Sequence, residues 1–246
     1  MSTGVAPKFA TQEFAAAQKT GAARLNPKFW TAPYLELRAR RIRMAEFFSR
    51  RNDWGDVLDV GAQYCPYYPF FENRCRSYTS LDIVETPIVD IVCDAEQMNL
   101  ADDGFDLVIC TQVLEHTQHP QRIVDECFRV LRPNGMLLLS VPSIFPVHGY
   151  PADSWRFMPQ GLEFMLERFS EVTVLGEMDF AESWFSTNGQ FLRTLTGKLH
   201  PLDAVIEPPM YAALNLAALA AQVILRPVTR RNFRAMSANL WAEARK

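Results

Sequence analysis

The chain has 246 residues, of which 48% are hydrophobic and 22% charged, with a formal net charge of −3. This composition excludes a disordered chain and fits one globular domain with additions. The small net charge gives no global attraction to nucleic acid or anionic lipid. The five cysteines, at 65, 75, 93, 110 and 127, contain no CxxC pair. Neither a disulfide framework nor a zinc site is expected, and no metal is assigned. Cys93 and Cys110 sit in apolar runs and read as small buried hydrophobes in a reducing, cytoplasmic setting.

Residues 1–20 hold no apolar stretch of the signal-peptide kind. Residues 1–52 are expected to form an N-terminal helical cap. Within it, Tyr34, Leu37, Ile42, Ala45 and Phe48 recur at helical spacing over 34–51. Arginines 38, 40, 41, 43, 50 and 51 decorate the same stretch, as a solvated face or as a lid for an anionic substrate.

From residue 53 the period changes. Short apolar strands are predicted at 56–60, 78–82, 89–92, 105–110 and 136–141. A helix at 120–131 stops at Arg132-Pro133-Asn134-Gly135, a helix-to-strand turn. A polar and aromatic loop covers 142–158, then a helix with proline at its start covers 159–169. Further strands are predicted at 171–175 and 239–244, with a helical insertion at 180–237 between them. The fold class is therefore α/β: a doubly wound, Rossmann-like, seven-stranded, mostly parallel sheet with an antiparallel last strand. The cap occupies 1–52 and the sheet domain 53–246.

The longest apolar run, 210–225, has 16 residues and is broken by Asn215 and Gln222. It falls short of the ~20 residues of a spanning helix, so no transmembrane segment is expected. Pro208 and Pro209 precede it and Pro227 follows, which marks off a buried or homodimer-forming helix. Arginines 226, 230, 231 and 234 make contact with a membrane surface the alternative.

In an open α/β sheet, ligands bind beyond the carboxyl ends of the strands. The first strand ends in Asp59-Val60-Gly61-Ala62, where a glycine lets the backbone approach a ligand. The second ends in Asp82, placed to accept from the hydroxyls of a ribose. Asp94 follows the third strand, within reach of an adenine amino group, and Thr111-Gln112 closes the fourth.

In this order and spacing, together with Leu114-Glu115-His116 and Leu131 to Gly135, these motifs resemble class I S-adenosylmethionine (SAM) dependent methyltransferases of the type 11 methyltransferase-domain group. The resemblance spans about 56–178. It implies SAM as cofactor, with Asp59, Gly61, Ala62 and Gln63 at the methionine end. It implies further that Asp82 holds the ribose, Ile83 and Ala95 flank the adenine with Asp94 at its edge, and Thr111 and Gln112 supply backbone near the methionine amine. Members of this group usually carry three glycines at alternate loop positions; here Gln63 and Cys65 stand after Gly61. The loop also lacks the GxGxxG dinucleotide fingerprint.

Methyl transfer from a sulfonium depends chiefly on proximity and orientation. A hydroxyl acceptor adds the need for a general base, and His148 and His116 are the candidates, with Asp153 behind them. Tyr150, Trp155 and Arg156 are expected to wall the acceptor pocket. The loop 148–157 is similar to members found beside glycan-building and secondary-metabolite enzymes. The expected acceptor is a small molecule, a hydroxyl of a sugar or natural product, with no nucleic-acid partner. A degenerate, non-catalytic methyltransferase-fold binding protein is the alternative, and a protein or RNA substrate docked on 34–51 a weaker one.

Overall fold

A computed structural model describes residues 12–148, 152–229 and 233–246. Tyr150, Arg230 and Arg231 lie outside those residues, as do the side chains of Arg226 and Arg234. Seven strands form one sheet: β1 (Asp56–Val60), β2 (Ser77–Asp82), β3 (Ile91–Val92), β4 (Phe105–Thr111), β5 (Leu131–Pro142), β6 (Ser170–Gly176) and β7 (Asn239–Arg245). The helices are α1 (Gln12–Leu25), α2 (Tyr34–Phe48), α3 (Pro120–Val130), α4 (Pro159–Met165), α5 (Phe180–Thr196) and α6 (Asp203–Thr229). The sheet order is β3-β2-β1-β4-β5-β7-β6. Strands β1 to β5 pair in parallel, and β7 runs antiparallel between β5 and β6. The order reverses between β1 and β4, which makes the crevice beyond their carboxyl ends the place for a ligand.

Alternate residues of each strand feed opposite faces, as the pleat requires. Leu58, Val60, Val108, Cys110 and Leu139 pack with Ile123, Val124 and Cys127 of α3 and Leu162 of α4. Val57, Leu107, Ile109, Leu138 and Trp241 pack with Met44, Phe47 and Phe48 of α2. Burial on both faces explains why β4 reads as an almost unbroken apolar run.

Several elements differ from the sequence reading. β3 is two residues rather than 89–92, and α4 stops at Met165. β5 starts directly after α3, because Leu131 already pairs with Phe105 before the turn at Asn134. Arg41, Arg50 and Arg51 are exposed, but Arg38, Arg40, Arg43 and Arg50 are tied to other elements. Arg40 is buried against Glu177, Arg38 donates to Glu182, Arg43 to the Gly176 carbonyl, and Arg50 pairs with Glu243. Partners on the sheet's far strands and on α5 thus tie α2 down.

Pro208 and Pro209 do not delimit a helix; α6 runs through them for 27 residues. Tyr211, Asn215 and Ala218 form its buried stripe. The Tyr211 hydroxyl donates to the Gly189 carbonyl of α5, and Asn215 Nδ2 donates to the carbonyls of Phe29 and Thr31. Asn215, a polar break in sequence, is thus an anchor. Leu216, Val223 and Ile224 lie exposed on the other side. By length and composition α6 is sufficient to cross a membrane, so the argument from a 16-residue run does not carry over to the folded chain.

Candidate cofactor and acceptor site

The loop after β1 turns at Gly61, whose φ is +73°. A Cβ there would lie 2.4 Å from Val113 Cγ2, so only glycine fits. The Gly61 and Ala62 amides both donate to the Leu81 carbonyl, at 2.8 and 3.1 Å. Gln63 and Cys65 hold left-handed φ values of +41° and +46°. Their backbone keeps the path that glycine takes freely, at a cost of about 1–2 kcal/mol per residue. Asp82 holds this turn in place: its carboxylate accepts from the Gln63 and Val84 amides, both at 2.9 Å. Each oxygen of an ionised carboxylate has two lone pairs, so acceptor capacity remains for a ligand.

These residues border a cleft of about 570 Å³ at the carboxyl edge of the sheet. Gly61, Gln63, Asp82, Ile83, Asp94, Ala95, Thr111 and Gln112 all line it, with His116. Ile83 lies 69% exposed, an apolar surface facing open space. Glu96 ties the β3 and β4 loops together through the Thr117 hydroxyl and both the backbone and ring nitrogens of His119. The sequence reading missed Arg24 of α1 and His119 as lining residues; neither carries a local signal. Two expected ligands are elsewhere. Asp59 is buried on the α2 side of the sheet, where it accepts from the Tyr78 hydroxyl, and Ala62 packs into the same core. Burial, with Asp59 alongside, holds the Tyr78 hydroxyl protonated well above its ordinary range.

A second cavity, of about 360 Å³, shares Gln112 with the first. Its walls come from α2 (Glu36), the loop after β5 (Phe145, Val147, His148) and α5 (Gln190, Arg193). Gln112 takes a φ of +54° and is fixed from below. Its amide donates to the Ser140 carbonyl at 2.7 Å and its side chain to Ser140 Oγ at 3.2 Å. Ser140 Oγ donates to Glu177 at 2.9 Å, and Glu177 receives Arg40. Glu36 was not foreseen as a site residue. Burial pushes its carboxyl up to about 7, against the opposing pull of Arg40 and His148.

Between His116, which lines the first cavity, and His148, which lines the second, Glu115 is fully buried, and neither carboxylate oxygen has a hydrogen-bond partner among the described residues. His148 Nε2 lies 3.7 Å and His116 Nε2 3.8 Å from its Oε1. The ring Nδ1 of His116 faces the Ala152 carbonyl. That of His148 lies 3.3 Å from Asp153 Oδ2 and 3.4 Å from the Pro146 carbonyl. The Glu115 carboxylate, 3.7 Å away, pushes the His148 imidazole upward, and Asp153 adds to the rise. Trp155 and Arg156 line neither cavity. Trp155 donates to the Thr117 carbonyl, while Arg156 is spent on Asp153 and the Phe145 and Pro146 carbonyls. Both brace the loop instead of walling a pocket.

The methyltransferase-domain family matches residues 58–139. A ubiquinone biosynthesis O-methyltransferase of Psychrobacter cryohalolentis is 30% identical over 127 residues, 45% of this chain and 47% of that protein. A probable SAM-dependent methyltransferase of Mycolicibacterium smegmatis is 45% identical over 98 residues, 36% of this chain and 38% of that protein. The chain thus spans less than half the length of these curated relatives. A SAM-dependent methyltransferase structure from Archaeoglobus fulgidus shares the fold, with a TM-score of 0.53 at 15% identity, over 86% of this chain and 94% of that one.

Proposed function

Taking the chain as a class I SAM-dependent methyltransferase, on the match at 58–139 and its seven-stranded sheet, we propose that it methylates a small hydroxylated acceptor. The observation that carries this is a pair of cavities sharing Gln112 as a wall, one bordered by Gly61, Asp82, Ile83 and Asp94 and one smaller and polar. Asp82 holds the ribose, Ile83 and Ala95 flank the adenine with Asp94 at its edge, and Gly61, Gln63, Thr111 and Gln112 bound the methionine end. SAM, when bound, supplies an already activated methyl group. What remains for the protein is to align the nucleophile and take its proton.

Glu36, Gln190 and Arg193 make the second cavity a place for a polar molecule with several hydroxyls, of sugar or natural-product type. Glu36 is the proton acceptor, since its carboxyl titrates near neutrality inside the cavity. His116 and His148 turn their Nε2 atoms toward the buried Glu115, at 3.8 and 3.7 Å, and border the two cavities instead of deprotonating the acceptor.

Calorimetry with S-adenosylhomocysteine, followed by product assays with hydroxylated acceptors, tests the reading. Binding in the micromolar range, weakened at least tenfold by Asp82→Ala, is expected. Absence of binding at millimolar ligand would leave the non-catalytic alternative. Turnover on amines or thiols but not hydroxyls would overturn the acceptor class.

A further inference from the structure

Glu115, His116 and His148 present three ligand atoms within 4.8 Å of one another. Glu115 and His116 are neighbours at the end of β4, whereas His148 arrives 32 residues later from the loop after β5. No ligand spacing is visible in the sequence, which is why no metal was assigned there.

We propose that these three side chains bind one divalent transition-metal ion of the zinc class, with an open position toward the acceptor cavity. Three features of the structure lead there. The first is the Glu115 carboxylate, fully buried yet without a hydrogen-bond partner or an Arg or Lys ion pair among the described residues. A bare buried carboxylate is costly, and a cation at its oxygen offsets that cost.

The second feature is the orientation of the rings. The Nδ1 atoms face acceptors, the Ala152 carbonyl for His116 and Asp153 with the Pro146 carbonyl for His148. Each ring then carries its proton on Nδ1 and turns the Nε2 lone pair toward Glu115. A backing carboxylate or carbonyl of this kind is the usual support of a metal-binding histidine. Asp153 is itself held by Arg156, so the support is fixed.

The third is spacing. Metal–ligand bonds of 2.0–2.2 Å in a tetrahedral site put ligand atoms about 3.4 Å apart. The two separations from Glu115 Oε1 are 3.7 and 3.8 Å, a few tenths of an ångström long, and the whole set lies within 4.8 Å, so the two imidazoles must draw together by up to about 1.4 Å on binding. Two imidazoles and one carboxylate suit zinc and its neighbours better than magnesium or calcium. Three protein ligands leave a position open, as catalytic sites do. His116 borders the cofactor cleft and His148 the acceptor cavity, so that position lies between them. An acceptor oxygen bound there would be polarised and become easier to deprotonate. That last role rests on the function proposed above; the binding of the ion does not.

The test uses the full chain, stripped by a chelator and titrated with Co²⁺ and Zn²⁺. One Co²⁺ per chain with strong visible bands of four- or five-coordination, displaced by Zn²⁺, is the expected result. His116→Ala and His148→Ala should each weaken Zn²⁺ binding at least tenfold, and Asp153→Asn by 10–100-fold, while His200→Ala leaves it unchanged. Glu115→Gln should melt higher than the metal-free parent and lose the Zn²⁺-induced rise in Tm. Weak octahedral bands, or affinity untouched by His148→Ala, would overturn the proposal. Calorimetry with S-adenosylhomocysteine on the same samples separates the two readings. Binding of S-adenosylhomocysteine without Co²⁺ binding rejects the metal alone, and the converse rejects the cofactor reading alone.

Discussion

Arg40 of α2 and Glu177 beyond β6 lie 137 residues apart and form a buried two-pronged ion pair, at 2.8 and 3.1 Å. Glu177 passes the contact on through Ser140 to Gln112, the residue shared by the two cavities. Packing of α2 and the shape of the two cavities are therefore one network. Breaking a buried pair by removing one partner costs about 3–5 kcal/mol, because the other charge is left uncompensated. Arg40→Met should lose that much stability in urea unfolding and weaken S-adenosylhomocysteine binding. Combining it with Glu177→Leu should recover most of the stability but not the binding.

The first loop offers a paired comparison. Gly61→Ala places a methyl 2.4 Å from Val113 Cγ2 at a left-handed φ. Overpacking of about 1–3 kcal/mol adds to conformational strain of about 1–2 kcal/mol. The loss should be about 2–5 kcal/mol in denaturant unfolding, with cofactor affinity falling as the loop moves. Gln63→Gly should act oppositely, being neutral or stabilising by up to about 1 kcal/mol, since its φ of +41° suits glycine. A destabilised Gln63→Gly would show that the side chain, not the backbone path, matters at that position.

Glu36 sets a pH dependence. A base works when deprotonated, and burial has raised this carboxyl to about 7. Activity should therefore rise with pH through about 7 and level off above it, visible in kcat/KM. Glu36→Gln should lower kcat by about 10²–10⁴-fold and remove that limb. A Glu36→Gln variant retaining the limb would return the role of base to the histidines.

At the opposite, amino end of the strands, Arg76, Ser77 and Arg132 hold the Asp56 carboxyl well below the usual carboxylate range. Arg132 also reaches Asp106 at 2.6 Å, so the turn after α3 clips β1 to β4. Asp56 is depressed in the folded state, so its contribution is present above the unfolded value near 4 and disappears as pH falls below it. Acid unfolding followed by circular dichroism should begin at higher pH in Asp56→Asn and in Arg132→Leu than in the parent, and the stability gap between parent and Arg132→Leu should be widest at neutral pH and shrink as the Asp56 carboxyl protonates.

Much of the architecture was legible in the chain itself. Alternating burial and turn residues are local properties, so the strands around Leu58, Leu81, Ile109 and Leu138, and the helix stopping at Arg132, followed from periodicity and turn chemistry. A parallel sheet then brings every strand's carboxyl end to one edge. Gly61, Asp82, Asp94 and Gln112 therefore had to meet, and eight of the ten expected cofactor residues line one cleft. Asp59 and Ala62 do not line that cleft: Asp59 shares the α2 face of β1 with Val57, as strand alternation requires, and Ala62 packs into the same core.

What the tertiary structure alone decided concerns charge and desolvation. Nothing near Arg40 announces that it is buried against Glu177, nor that its neighbours dock α2 instead of facing water. The shift at Glu36 and the bare carboxylate of Glu115 arise from groups folded over them, not from their own sequence surroundings. Proline signals at 208 and 209 lost to packing of Tyr211 and Asn215 against α5 and the 29–31 segment. Periodicity records which way a side chain faces relative to its own backbone. Which charge meets it from another element, and how much water is removed, exists only once distant segments pack.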